Sequence, residues 1–205
     1  MRPVTEGAAD RRLAVYPGPW SWLTQVHGTE VHVVERPGSV RGLSGDALVT
    51  AAPGHALAIF TADCAPVAFA SDDGVVGIAH AGWRGLEAGV LSATVDAMGA
   101  LGATGIVATV GPCIRSCCYE FGSEDLDRLA GRFGPSVRGR AADGRATFDL
   151  PAAVRLALAS CGVEVVLDDG SCTACSPAWY SHRAGRDEQR QATVVVMDTP
   201  GHRAS

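Results

Sequence analysis

Lysine is missing from this chain. All 17 basic residues are arginine, against 22 acidic ones, and the formal net charge is −5. No basic cluster interleaved with aromatics occurs, so the sequence carries no nucleic-acid footprint. No apolar run approaches the roughly 18–20 residues that span a bilayer. The opening stretch MRPVTEGAADRR has no apolar core of the kind a secretory signal needs. Internal repeats and low-complexity tracts are absent apart from an alanine bias. These absences lead to the expectation of a cytoplasmic protein with neither nucleic acid nor membrane as partner. Seven cysteines, an odd number without an export signal, are expected to be reduced thiols rather than a disulfide framework.

What is present fits one globular unit. The 205 residues are 47% hydrophobic, ordinary for a soluble domain. Residues 1–19 read as a loose polar arm and 20–205 as a single catalytic domain. Short strands are expected at 20–26, 31–36, 46–50, 56–61, 106–110, 163–167 and 193–197. Apolar residues recurring at three and four predict a helix over 86–101. Ser123 is expected to cap a short helix, with Glu124 and Asp125 in its first turn. Residues 132–144 read as a loop. Asp149 and Pro151 open a further helix that ends before Gly162. This alternation indicates an α/β or α+β fold, a single layered domain with a mixed sheet flanked by helices.

The stretch from Thr61 to Gly85, TADCAPVAFASDDGVVGIAHAGWRG, organises the rest. Asp73-Gly74 between two runs rich in Val, Ile and Phe predicts a β-hairpin. Its outer ends then lie side by side, which brings Cys64 and His80 to one sheet edge. His27 stands at another strand end, beside Gly28. Two imidazoles and one thiol suit zinc with an open fourth position, and copper accepts the same set. Without metal, Cys64 and His80 are a nucleophile and its base. Asp63 is costly to bury without a partner and, with His80, is a candidate to move protons. Arg84 follows His80 near a helix start and suits an anion. His182 and Arg183, with Arg186 and Arg190 downstream, form either an anion clamp or a solvated basic face. Adjacent cysteines do not easily chelate one ion, so Cys113, Cys117 and Cys118 read as packing groups. Cys172-x-x-Cys175 has the spacing of a zinc pair, but no second pair of matching spacing follows, and packing is favoured there too.

Six segments, in order, resemble one bacterial family: QVHG at 25–28, GDALVT at 45–50, TADC at 61–64, AHAGWRG at 79–85, GPCI with CCYE at 111–120, and SHR with a following GR at 181–186. That family is variously called multicopper polyphenol oxidase, laccase-domain or purine nucleoside phosphorylase proteins, and peptidoglycan editing factor. The resemblance implies a layered α/β fold related to cysteine-hydrolase-like toxins. It also implies metal ligation, usually of zinc, by His27, Cys64 and His80. The implied activity is phosphorolysis of purine nucleosides (adenosine, inosine, methylthioadenosine), with adenosine deamination at the same site. Gln25 and Asp46, inside two matching segments, join Arg84, His182 and Arg183 as candidate substrate- or phosphate-binding residues. Cys64, His80 and Asp63 are the catalytic candidates. The expected partners are a nucleoside and phosphate, with self-association left open. Three further functions stand beside this one: a Cys–His hydrolase or amidase editing peptidoglycan precursors, a copper-dependent polyphenol oxidase, and a non-catalytic nucleoside-binding protein. Three ligands do not supply the several copper sites that oxygen reduction to water needs. The chain departs from the family pattern at Ala184, where a second arginine is common. It departs also at its front, where the family carries a longer portion that helps form the nucleoside pocket.

Overall fold

Two apolar runs turning back on each other make the centre of the molecule. A computed structural model of the chain describes residues 7–197; residues 1–6 of the expected arm, and 198–205, lie outside the described residues. The expected hairpin is present as β5 (Ala65–Ala70) and β6 (Val76–Ala81), antiparallel, with Pro66 opposite His80 and Ala65 opposite Ala81. Gly74, at φ 77°, supplies the turn.

Around the hairpin, β3 (Ala47–Thr50) pairs antiparallel with β6, and β2 (Val31–Val33) runs parallel to β3. On the other side β7 (Val107–Val110) is antiparallel to β5, and β10 (Glu164–Asp168) is parallel to β7. The six-stranded sheet is therefore mixed, in the order β10-β7-β5-β6-β3-β2. A second sheet places β4 (Ala56–Thr61) between β1 (Trp20–Trp22) and β11 (Gln191–Val196).

All six residues of β6 are buried, because both faces of the large sheet are covered. One face packs on helices: Val49, Val67, Phe69 and Ala79 join Leu91, Met98, Val154 and Leu158 in one core. The opposite face packs on the three-stranded sheet, where Leu48 and Ile78 meet Leu57 and Ile59. Alternation along each strand thus feeds two cores rather than one core and solvent.

Several elements differ from expectation. The helix expected over 86–101 starts earlier and is broken in two, α2 (Trp83–Ala88) and α3 (Val90–Ala100). Gly89 at φ 104° separates them, a conformation that costs other residues strain. Ser123 is the first residue of α4 (Ser123–Phe133), not its cap; Gly122 holds the cap position. The expected loop at 132–144 contains a 3-10 turn (Pro135–Val137) and the strand β8 (Arg138–Arg140), which pairs with β9 (Ala146–Phe148). Its residues are mostly exposed, so no apolar alternation announced it. Within 1–19 the structure holds a helix, α1 (Ala8–Val15), none of whose residues is buried. Asp149 caps α5 (Leu150–Ser160) as expected, its Oδ1 accepting from the Ala152 N–H at 2.9 Å. A short α6 (His182–Gly185) precedes β11. Among the described residues, no helix is long and apolar enough to cross a membrane.

Candidate active site and metal centre

The hairpin sets the first two groups. Cys64 immediately precedes β5 and His80 lies near the end of β6, opposite Pro66, so the two are two positions apart along the ladder and on the same face of the sheet. His27 comes from the connection between β1 and β2. There φ 61° turns the chain sharply enough to swing the imidazole back over the hairpin's end. The ligand atoms of His27, Cys64 and His80 lie within 4.8 Å of one another. Cys64 Sγ is 3.7 Å from His27 Nε2, and the two imidazole rings meet edge-on with centroids 4.7 Å apart.

Two carboxylates fix this arrangement from behind. Asp46, fully buried, binds His80 Nδ1 through Oδ1 at 2.8 Å. The same carboxylate accepts the backbone N–H groups of His27 at 2.9 Å and Gly28 at 2.7 Å. Asp46 therefore holds both histidines in place and is not among the residues that line the cleft. His80 Nδ1 is engaged, so Nε2 is the nitrogen turned to Cys64 and available to an ion. A metal-ligating histidine with its other nitrogen on a carboxylate is the usual outer support of such centres. Asp63 is likewise occupied. Its Oδ1 accepts the hydroxyls of Thr173 and Ser181, each at 2.7 Å, and its Oδ2 the Arg183 N–H at 2.6 Å. With three protein donors on it, Asp63 ties the hairpin to the C-terminal loops. Its φ of 98° is strained for any residue but glycine. Gln25 pairs its amide with the Phe60 backbone, accepting at 2.9 Å and donating at 2.8 Å.

The electrostatics match the geometry. Burial raises the Cys64 thiol, but hydrogen bonds and charge from His27 and His80 outweigh it and bring it down to about 6. Burial lowers His80, and its bonds to Asp46 and Cys64 raise it instead to about 9. Burial also raises Asp46, yet His80 and the Gly28 and His27 N–H groups hold it below the usual carboxylate range. Without metal the pair is thus thiolate and imidazolium. Thiolate is the reactive form, so its fraction sets the alkylation rate. In metal-free protein, iodoacetamide labelling of Cys64 is expected to be half-maximal near pH 6, below the about 8.5 of an ordinary thiol. Peptide mapping across a pH series checks this; a midpoint above pH 8 would refute the ion pair.

These groups open on a cleft of about 520 Å³. It is lined by Gln25, His27, Asp63, Cys64, His80, Arg84, His182 and Arg183, which were expected there, and by Phe60, Trp83, Tyr119 and Arg190. Arg84 is exposed and stacks on Trp83 at 4.2 Å, with no hydrogen bond or ion pair among the described residues. Arg183 lies over the Tyr119 ring at 5.0 Å and donates to the Glu120 carbonyl at 2.9 Å. Burial holds the Tyr119 phenol above its usual range, and the Cys64 charge adds to this. Asp46 alone of the expected site residues is set behind the cleft.

Gly82 was not singled out, although it stands within AHAGWRG. A Cβ there would lie 2.6 Å from His27 Cδ2 and 3.0 Å from Cys64 Sγ. Gly82→Ala is expected to displace both side chains and lower turnover roughly 10²-fold, the scale of a misplacement near 1 Å. Steady-state assays with metal analysis check it; unchanged kinetics would show that the two side chains need not approach so closely. Thr173 and Ser181 were also missed as partners of Asp63, because nothing local in the sequence marks a hydroxyl that reaches across more than a hundred residues.

The cysteines divide in two. Cys113 is fully buried in the helix-side core, where burial pushes its thiol up to about 12, as a packing group requires. Cys117, Cys118, Cys172 and Cys175 instead converge, with their sulfurs within 4.8 Å of one another. Packing was expected for all of them. The neighbouring pairs come together because the loops after β7 and β10 meet.

The family described as multi-copper polyphenol oxidoreductase laccase matches residues 6–198. A Streptomyces griseus protein named purine nucleoside phosphorylase is 41% identical over 195 residues, covering 93% of this chain and 79% of its own length. The crystal structure of a Neisseria meningitidis protein is 30% identical and superimposes with a TM-score of 0.82 over 94% of this chain and 80% of that one. A hypothetical protein of Bacillus licheniformis, 26% identical, gives 0.83 over the same shares.

Proposed function

The chain belongs to the multi-copper polyphenol oxidoreductase laccase family, and from that membership we propose that it is a zinc-dependent purine nucleoside phosphorylase that also deaminates adenosine. The observation that carries this is one cleft combining a two-nitrogen, one-sulfur donor set with an arginine rim in a chain of net charge −5. The substrates are adenosine, inosine and methylthioadenosine.

The residues fit zinc. His27 Nε2, Cys64 Sγ and His80 Nε2 converge, Asp46 orients His80, and the cleft leaves one side for a reactant. When bound, zinc supplies Lewis-acid polarisation and a more acidic water, the chemistry deamination requires. The chain's own groups do the rest. Arg84 and Arg183, with Arg190 beside them, hold phosphate against the ribose. Phe60 and Trp83 offer apolar faces to the purine. In phosphorolysis a phosphate oxygen attacks ribose C1′, the bond from C1′ to the base nitrogen breaks, and its electron pair leaves with the base. The base takes up a proton, giving ribose 1-phosphate and free purine. Holding phosphate and nucleoside in register converts a two-body encounter into one bound step.

Chromatography of inosine incubations with and without inorganic phosphate tests the proposal. Hypoxanthine and ribose 1-phosphate in equal amounts, only when phosphate is added, are expected; no base release would overturn it. With adenosine, inosine accumulating without phosphate would report deamination.

One observation favours a second function. Cys64, His80 and Asp46 also bring together a thiolate, an imidazolium and a carboxylate that orients it, the groups a Cys–His hydrolase uses. Acting on a peptidoglycan precursor, it would ignore chelators and be stopped by alkylation of Cys64.

A further inference from the structure

We propose that Cys117, Cys118, Cys172 and Cys175 form a second metal site, a tetrathiolate centre for one zinc ion that fastens together two loops behind the nucleoside cleft. The site uses none of the donors of the first centre and does not rest on the proposed activity.

The fold makes the convergence. β7 and β10 are parallel neighbours, with Val110 opposite Asp168, so their following loops leave the sheet side by side. The loops are then sewn together. Cys113 and Cys172 form a parallel bridge, the Thr173 N–H donates to the Cys113 carbonyl at 3.2 Å, and Arg115 Nε donates to the Ser171 carbonyl at 3.2 Å.

Each loop offers two sulfurs from a tight turn. In the second, the N–H groups of Cys175 and Ser176 both donate to the Cys172 carbonyl at 3.2 Å, which curls Cys-x-x-Cys around one point. In the first, the Cys118 and Tyr119 N–H groups donate to the Arg115 carbonyl at 2.9 and 3.0 Å. In an extended chain adjacent side chains point to opposite faces. Within this turn Cys117 and Cys118 both reach Cys175, at 3.5 and 3.2 Å between sulfurs. Thiolates bound at about 2.3 Å on the corners of a tetrahedron lie about 3.8 Å apart. All four sulfurs fall within 4.8 Å of one another, so small rotations of their side chains complete the tetrahedron.

Neither core packing nor a disulfide uses all four thiols. Buried thiols often pack as small hydrophobes, but Cys117 and Cys175 are exposed and Cys118 only half-buried. A disulfide between Cys118 and Cys175 would use two sulfurs, leave the other two without a role, and need an oxidant. One ion uses all four. Binding replaces four S–H protons, which pass to solvent.

The position gives the ion a purpose. None of the four cysteines lines the cleft. Thr173, between the second pair, donates its hydroxyl to Asp63, and Tyr119, next to Cys118, lines the cleft wall. An ion here would brace both from behind.

The test uses full-length Cys64→Ala protein, which lacks the sulfur of the first centre, purified under reducing conditions. It is expected to retain about one zinc per chain, with an X-ray absorption spectrum of four sulfurs at about 2.3 Å and no nitrogen or oxygen neighbour. Adding Cys172→Ser and Cys175→Ser should bring zinc to about zero. Cys64→Ala protein without zinc, zinc with nitrogen or oxygen ligands, or zinc retained after the serine changes would each overturn the proposal. If the serine variant does not fold, the content and spectrum of the Cys64→Ala protein decide alone. Failure of the first centre reads differently: wild-type protein would then hold a single zinc with sulfur ligands only.

Discussion

Cys64→Ala is expected to lower phosphorolysis by about 10³-fold or more while leaving the fold intact, the scale seen when a central catalytic group is removed. Cys64 is the only sulfur in the three-donor set and the charge that His27 and His80 converge on. Its loss leaves two imidazoles, one already committed to Asp46. Two ligands do not make a catalytic zinc site, which needs three with an open position. The side chain stands at the cleft rather than in either hydrophobic core, so thermal melting should shift by no more than a few degrees. Initial rates with inosine and phosphate, read beside circular dichroism, check both halves. Wild-type turnover in the variant would remove Cys64 from the mechanism.

Asp63→Asn is expected to be the most damaging change for stability, with a loss of about 2–4 kcal/mol. Asparagine tolerates positive φ about as well as aspartate, so the strained backbone at φ 98° is not the cause. The hydrogen bonds are. Thr173 and Ser181 can rotate their hydroxyls, but the Arg183 N–H cannot turn away from Oδ2. The amide can turn its oxygen to that N–H and its NH₂ to the hydroxyls, but Ser181 Oγ already accepts the Ala184 N–H at 3.1 Å, and three bonds to a charged carboxylate become neutral ones of about half the strength. The segment carrying His182 and Arg183 would detach from the hairpin. For a chain of this size the melting midpoint should fall by about 10 °C, and KM for phosphate should rise more than kcat falls. An unchanged midpoint would show that Asp63 does not hold the loops.

The hairpin and its consequence were legible because both depend on local signals. Asp73-Gly74 between apolar runs fixes the turn, and the turn places Cys64 against His80 whatever the rest of the chain does. His27 was legible as an imidazole at a strand end beside a glycine, and QVHG supported it, but nothing in its own surroundings says that φ 61° aims its ring at the hairpin. The protein partners of Asp46, Asp63 and Gln25 were not legible for one reason. A polar residue within a motif looks the same in sequence whether it faces a ligand or is consumed by backbone donors, and that depends on contacts between distant segments. The mixed sheet was foreseen from several short strands before the first helix, while the split at Gly89 was hidden by an apolar period that runs across it. The cysteine pairs were read apart because spacing along the chain was compared, and the parallel pairing of β7 with β10 is what joins them.

The central claim is that one ion held by His27, Cys64 and His80 makes the cleft catalytic. It is tested most directly by returning zinc to metal-stripped wild-type protein while following two signals in the same samples: phosphate-dependent hypoxanthine release, and protection of Cys64 from iodoacetamide by peptide mapping. Activity and protection are predicted to rise together and to saturate at the same zinc ratio. Full turnover in stripped protein, or turnover returning while Cys64 stays open to alkylation, would contradict it.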